Sequence, residues 1–205
     1  MALLAVTAVY LAVWPHELGH SLAAYLYGCK TDAWRTETHW YLAGSRAGAI
    51  DEGCLARQGG HAVAFTAIAG IAVNLFLVAL APLLGRWWLP GRTEREAIRW
   101  GLVVTVVWAL ANAAEAVSYL VINTVWLRSD MEVVVRQSGL GRWTWTAAGL
   151  LLAAVAALGL SSSTTKAAQA LAGPGASERL WRWAFAGYAF AVGLAAVVSR
   201  AFLSP

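Results

Sequence analysis

The stretch QGGHAVAFTAIAGIAVNLFLVALAPLLG, residues 58–85, decides the fold because it contains no Asp, Glu, Lys or Arg. The same four residue types are missing from residues 100–114, 143–165 and 183–199. A helix needs roughly 17–25 mostly apolar residues to cross the apolar core of a bilayer, which is about 30 Å thick. The charge-free runs therefore predict helices that lie in a lipid bilayer.

The overall composition points the same way. Of the 205 residues, 60% are hydrophobic and 13% are charged, whereas soluble domains average about 45–50% and about 25%. The net charge of +4 comes from basic residues in short loops between the apolar runs, where they favour contact with anionic lipid. The composition argues against a cytosolic globular enzyme and against a nucleic-acid-binding protein.

The expected fold class is an all-α polytopic membrane protein with about five transmembrane helices. Helices are expected because every backbone polar group in lipid must be paired within its own segment. The apolar runs also lack the alternation that is typical of barrel strands. The predicted spans cover residues 2–27, 61–84, 100–127, 144–160 and 180–203.

The connections suggest two regions. Residues 29–60 follow the first span, and their Thr-rich, aromatic part predicts a short β-like hairpin loop. Residues 1–135 are expected to form a core with three transmembrane helices. Residues 136–205 are expected to hold two further transmembrane helices and a flexible linker, which the Ser, Thr, Gly and Pro of residues 161–175 indicate.

The two cysteines, Cys29 and Cys54, both lie in the loop of residues 29–60. A single bridge between them is one interpretation, and free thiols are expected if the loop faces the cytoplasm. The distribution of Lys and Arg is nearly even between the two sides, so it does not decide the orientation of the chain.

The motif that carries chemistry is His16-Glu17-Leu18-Gly19-His20, an HExxH sequence. On a helix, positions i and i+4 share one face, so both imidazoles reach one ion. Glu17 lies beside that ion and is placed to act as a base on water. The motif predicts a single zinc ion held by His16 and His20, with Glu17 as the catalytic residue.

A zinc site needs a third protein ligand, and topology favours Asp130. The first and third spans run in the same direction, so Asp130, just past the third span, emerges on the side towards which His20 points. Glu115 lies 15 residues earlier, which is about 22 Å along a helix. His61 and His39 are weaker candidates, and Glu115 or His61 in place of Asp130 is an alternative that the sequence leaves open.

Asn74 lies alone in the middle of the charge-free second span. One interpretation is an interhelical hydrogen bond that holds helices together. The other is a role in substrate binding, in which the amide holds an extended substrate or polarises its carbonyl. The polar residues on one face of the third span are expected to hold helices together; they are Asn112, Glu115, Tyr119 and Asn123.

Taken together, these features resemble the site-2 protease family of intramembrane zinc metalloproteases. They are HELGH in the first span, Gly70-x-x-x-Asn74 in the second, and Asn123 late in the third span with Asp130 after it. The resemblance implies that His16, His20 and Asp130 bind zinc and that Glu17 is the base. It also implies that Asn74 lies near the substrate.

The resemblance implies a function as well. A member of this family hydrolyses peptide bonds in or near transmembrane segments of membrane-protein substrates. The partners implied here are a membrane-embedded protein substrate and the lipid bilayer, and a regulatory partner protein is also considered. The protein would be a multi-pass integral membrane protein whose active site faces the cytosolic side.

Two other functions compete with proteolysis. One is a non-catalytic membrane binding or regulatory protein with a vestigial metal site, although such a site has no need of Glu17. The other is a metal transporter, which would carry ligands along several spans. Asp and Glu are absent from the predicted second, fourth and fifth spans, which disfavours transport.

Overall fold

The computed structural model describes residues 2–39, 44–88 and 96–172. These residues are mostly helical. The helices are α1 (Ala2–Leu26), α2 (Glu52–Gln58), α3 (Gly60–Trp88), α4 (Glu96–Val117), α5 (Thr124–Trp126), α6 (Ser129–Ser138) and α7 (Arg142–Ala172). A π-helical segment, Ser118–Asn123, joins α4 to α5, so these three form one continuous rod.

Two short strands lie between α1 and α2. β1 (Glu37–His39) pairs antiparallel with β2 (Gly44–Arg46), and Glu37 lies opposite Arg46. The expected hairpin loop corresponds to this pair, but its turn, residues 40–43, lies outside the described residues.

Among the described residues, two helical stretches are long and apolar enough to cross a membrane, Gly60–Ala81 and Val104–Trp126. They coincide with the predicted second and third spans. In the most apolar 18 residues of each stretch, only 39% and 28% are buried inside the protein. A core helix of a soluble protein is mostly buried instead. Phe65, Phe76 and Val104 are among the apolar side chains that point outwards. These two stretches support membrane association of the chain.

The other predicted spans differ from the expectation of five. The predicted first and fourth spans fall in α1 and α7, which are helical. In the described part of the chain, neither helix is among the stretches that are long and apolar enough to cross a membrane. The predicted fifth span, residues 180–203, lies outside the described residues.

The prediction of a flexible linker beginning at residue 161 is wrong over residues 161–172. Helix α7 continues without a break through this stretch to Ala172. Ser and Thr hydroxyls can bond to carbonyls of the preceding turn, and the following run of Ala, Lys, Gln and Leu has high helix propensity. Residues 173–175 lie outside the described part.

The core that positions the site joins three elements. Ala67 and Ile71 of α3 pack against Leu120 of the π-helical segment and against Met131 and Val134 of α6. All five are buried. Helix α6, which is short and amphipathic, is thereby fixed across α3 just beyond the end of the α4–α5 rod.

Pro15 interrupts the hydrogen bonds of α1 and ties this helix to α4. Proline has no N–H, so the carbonyl four residues earlier, that of Leu11, loses its helical donor. The indole Nε1 of Trp108 in α4 donates to this carbonyl at 2.9 Å. An unpaired carbonyl is costly in an apolar environment, so this bond compensates for Pro15 directly before the HExxH motif.

Candidate metal centre

Helix α1 places His16 and His20 on one face, one turn apart. Their ring centroids are 4.8 Å apart and the rings are nearly perpendicular. His16 is fully buried and His20 is 7% exposed. The HExxH spacing therefore gives the geometry expected of it, two imidazoles directed to one point inside the protein.

Two glycines allow α1 and α3 to come together at this point. A Cβ atom added to Gly19 would lie 2.6 Å from the carbonyl oxygen of Ala69 in α3. A Cβ added to Gly70 would lie 2.6 Å from Nε2 of His20 and 2.8 Å from Nε2 of His16. The imidazole nitrogens thus occupy the space that a side chain at position 70 would fill.

Asp130 closes the group from the first turn of α6. Its Oδ2 atom lies 3.4 Å from His20 Nε2 and 3.7 Å from His16 Nε2. The three ligand atoms offered by these residues all lie within 4.8 Å of one another. Among the described residues, they form the group of His, Cys, Asp or Glu side chains able to hold a metal ion.

The turn before α6 directs Asp130 inwards. Leu127 and Ser129 both have positive φ angles, of 49° and 54°, which are uncommon for residues other than glycine. The Arg128 N–H donates to the carbonyl of Asn123 at 2.9 Å and thus closes the turn. This reversal starts α6 with Asp130 in its first turn, facing the imidazoles.

His20 is oriented by a hydrogen bond on its far side. Its Nδ1 atom lies 2.7 Å from the carbonyl oxygen of Thr66. This buried contact connects α1 to α3. Because a carbonyl only accepts, Nδ1 carries the proton, so Nε2 of the neutral imidazole is the nitrogen that can bind a metal on the side of Asp130. Histidines that bind metals commonly have such a bond to a backbone carbonyl.

The ring nitrogens of His16 bear on whether a metal ion fits the site. Neither Nδ1 nor Nε2 has a hydrogen-bond partner, although both are buried. Buried polar atoms are nearly always paired. A zinc ion bonded at about 2.0–2.1 Å holds tetrahedral ligands about 3.3 Å apart, close to the separations of Asp130 Oδ2 from the imidazoles. An ion would therefore satisfy Nε2 of His16, and two imidazoles with one carboxylate are a donor set that binds zinc.

The charge of Asp130 suits this role. Burial alone raises the pKa of this carboxyl, but the interactions with His16 and His20 outweigh burial and hold its pKa below the ordinary value. The side chain remains 27% exposed. Asp130 is consequently ionised at neutral pH, as a carboxylate ligand must be.

Glu17 lies beside the group and is held by the loop that follows β2. The backbone of Ala47 lies near the Glu17 carboxylate. Lys30, which is buried, donates from Nζ to the carbonyl of Ala47 at 2.6 Å. Gly48 has a φ of 75°, and a Cβ there would lie 2.9 Å from the carbonyl of Arg35. Lys30 and Gly48 together fix the amide that faces Glu17.

Comparisons with protein-family models, with curated proteins and with solved structures find no match for this chain. The assignment of the site therefore depends on its residues and their geometry.

The other candidate ligands do not join the group. Glu115 is not part of it, although it lies near enough to influence the charge of Glu17. His61 is exposed, and its ring faces that of Tyr27 at 6.3 Å. The side chain of His39 lies outside the described residues. The structure thus brings Asp130, rather than Glu115 or His61, to the two histidines.

Asn74 is fully buried one turn beyond Gly70, and neither its amide nitrogen nor its amide oxygen has a partner. The interhelical hydrogen bond considered for it is not formed in the described part of the protein. Asn112 does act within its own helix, since its Nδ2 donates to the carbonyl of Trp108 at 2.9 Å. Asn74 therefore keeps a free donor and a free acceptor.

Cys29 and Cys54 form a disulfide. It links the segment that follows α1 to α2, because Cys29 lies three residues beyond Leu26 and Cys54 lies in α2. The Asp51 N–H also donates to the carbonyl of Cys29 at 3.0 Å. The bridge and this bond hold the loop of residues 29–60 against the end of α1 that carries His20. Free thiols were the expectation for a cytoplasmic loop, so the bridge bears on the orientation of the chain.

Proposed function

We propose that this chain is an intramembrane zinc metalloprotease, similar to the site-2 protease family, that hydrolyses peptide bonds in or near transmembrane segments. The observation that carries the proposal is the convergence of His16, His20 and Asp130 beside Glu17. Two imidazoles and a carboxylate leave one position of a tetrahedral zinc ion open, which is the donor set of catalytic rather than structural zinc.

The apolar surface supports a site within the membrane. In the described part of the chain, the stretches that are long and apolar enough to cross a membrane belong to α3 and to the α4–α5 rod, and both contribute residues to the site or its core. Helix α7 also presents large apolar side chains outwards, among them Leu151, Val155 and Leu158. We propose a multi-pass arrangement in which α1, α3, the α4–α5 rod and α7 cross the bilayer.

In the proposed reaction, Glu17 moves the proton and Asn74 holds the substrate. A bound zinc ion supplies a Lewis acid that polarises the peptide carbonyl and lowers the pKa of water. Glu17 accepts a proton from the attacking water and then passes it to the leaving amine. The amide of Asn74 offers an unpaired donor and acceptor to the unwound substrate backbone. The β1–β2 pair next to α1 offers an edge for strand addition by that backbone.

A cleavage assay with two matched glutamate variants tests the proposal. The full chain is reconstituted with a reporter whose single transmembrane helix carries a Gly-Pro break. Glu17→Gln keeps the shape of the side chain but removes the base, so it should retain zinc and lose cleavage. Glu52→Gln, on the exposed surface of α2, should cleave like the unaltered chain. Cleavage by Glu17→Gln would rule out the proposed base.

The same assay addresses the non-catalytic alternative. A chain that binds zinc but cleaves no membrane-embedded reporter would be a binding or regulatory protein with a vestigial site. The residue that separates the two functions is Glu17, which a binding site alone does not require.

The orientation of the site is a separate part of the proposal. The family resemblance implies the cytosolic side. The Cys29–Cys54 bridge favours the opposite side, because stable disulfides are typical of oxidising compartments. We propose that the loop of residues 29–60 faces the oxidising side of the membrane.

A further inference from the structure

The two imidazoles of the metal centre are oriented in different ways. His20 is fixed by the bond from Nδ1 to the carbonyl of Thr66. His16 has no hydrogen bond at either ring nitrogen; the Asp130 carboxylate lies 3.7 Å from its Nε2, and its Nδ1 is left without a partner that could set the plane of the ring. A ligand that is free to rotate would bind a metal weakly, and packing must therefore orient His16.

The side chain that packs on His16 is Tyr119. The two ring centroids are 4.4 Å apart and the planes are inclined by 34°. This is a close, tilted contact, at the short limit of aromatic pairs. The ring of His20 and the backbone of Gly70 lie against other parts of His16. Tyr119 thus packs its ring on a histidine that has no hydrogen bond at either ring nitrogen.

The backbone places Tyr119 there through the π-helical segment. The N–H of Thr124 donates to the carbonyl of Tyr119, five residues earlier. The hydroxyl of Thr124, which is buried, donates to the same carbonyl at 3.1 Å. This wider turn rotates Tyr119 relative to a regular α-helix, and single π turns occur often at functional sites.

The hydroxyl of Tyr119 extends the contact to the third ligand. It lies near enough to the side chain of Ser129 to interact with it. Ser129 is the residue before Asp130 and has a φ angle of 54°. One side chain therefore packs on His16 through its ring and approaches, through its oxygen, the turn that presents Asp130.

We propose that Tyr119 is a positioning residue of the metal centre, whose ring sets the plane of the His16 imidazole and whose hydroxyl fixes the Ser129 turn. The inference rests on the proposed zinc site. Its specific claim is that affinity for the metal depends on a residue that is not a ligand. Outer-shell partners of metal sites typically change affinity by about 10–100-fold.

Three variants separate the two contacts. Tyr119→Leu removes both the ring and the hydroxyl while filling part of the volume, and it should weaken zinc binding by about tenfold or more. Tyr119→Phe keeps the ring and should restore most of the affinity. Ser129→Ala removes only the partner of the hydroxyl and should match Tyr119→Phe. Tyr27→Leu is the control, because Tyr27 also faces a histidine, His61, which does not belong to the metal group.

The experiment is a zinc titration of the full chain in detergent against a competing chelator, together with the absorption spectrum of the cobalt-loaded protein. We expect a weakened affinity and an altered cobalt spectrum for Tyr119→Leu, rescue by Tyr119→Phe, and no change for Tyr27→Leu. An affinity of Tyr119→Leu within twofold of the unaltered chain would overturn the inference and leave the zinc site standing.

Other outcomes are also decisive. If Tyr119→Leu does not fold, Tyr119→Met, which likewise removes the ring and the hydroxyl, takes its place, and an affinity within twofold of the unaltered chain would overturn the inference. If the unaltered chain binds neither zinc nor cobalt, the proposed function falls and the role of Tyr119 falls with it.

Discussion

Gly70 lies against His20, so that a Cβ atom added at residue 70 would be only 2.6 Å from Nε2 of the imidazole. The same position is 2.8 Å from Nε2 of His16. Both imidazoles therefore depend on the missing side chain at residue 70. The backbone of α3 forms one wall of the metal centre.

Gly70→Ala should abolish zinc binding and activity without unfolding the chain. The added methyl group would meet the two nitrogens that bind the ion, so the rings must move apart. Zinc content and cleavage by the purified variant measure the effect. The matched control is Gly159→Ala in α7, where an added Cβ meets nothing within 4 Å. Full zinc content in Gly70→Ala would show that the rings do not lie where described.

Trp108→Phe should destabilise the fold by about 1 kcal/mol, because it removes the donor to the Leu11 carbonyl. Pro15→Ala restores an N–H to α1 that can pair with this carbonyl. The two changes should therefore not be additive, and Trp108→Phe should cost less in the Pro15→Ala background. A double-mutant cycle of unfolding in mixed micelles measures the coupling. Strict additivity would indicate that Pro15 and Trp108 do not share the Leu11 carbonyl.

Lys30→Met should slow cleavage several-fold while leaving zinc content unchanged. The ammonium group holds the carbonyl of Ala47, and Ala47 in turn contacts Glu17. Without this anchor the loop no longer fixes the carboxylate of the base. Arg57→Met serves as the control, because Arg57 is exposed on α2. A loss of zinc in Lys30→Met would indicate a general structural role instead.

Cys29 and Cys54 should resist alkylation in intact cells unless a reductant is added first. Labelling with a maleimide polymer under denaturing conditions, before and after reduction, gives a mass shift that measures this. Cys29→Ala leaves Cys54 unpaired and must label without reductant. Labelling of the unaltered chain without reductant would place the loop in a reducing compartment, the cytosolic orientation that the resemblance implies.

Local spacing made the histidine pair predictable, and topology made Asp130 the preferred partner. The interval between His16 and His20 is one helical turn, so their shared face follows from helix geometry alone. The direction of successive spans was enough to bring Asp130, rather than Glu115, to the end that carries His20. Both deductions need only the period of a helix and the thickness of a membrane.

Contacts between distant backbones could not be predicted in this way. The role of Gly70 depends on how closely α1 approaches α3, and the contact of Tyr119 with His16 depends on a π turn that leaves no clear sequence signal. The continuation of α7 beyond residue 160 was missed because serine and threonine were interpreted as a linker. Pro15, which should disrupt α1, is instead compensated by Trp108 from a different helix.

The central claim is that His16, His20 and Asp130 together hold one zinc ion. Its most direct test is the zinc content of the purified full chain, measured by elemental mass spectrometry beside Asp130→Ala and, as a control, Asp32→Ala on the exposed surface. We predict one zinc per chain in the unaltered protein and in Asp32→Ala, and a loss of zinc in Asp130→Ala. An unaltered chain without zinc, or an Asp130→Ala variant that retains it, would contradict the proposed zinc site.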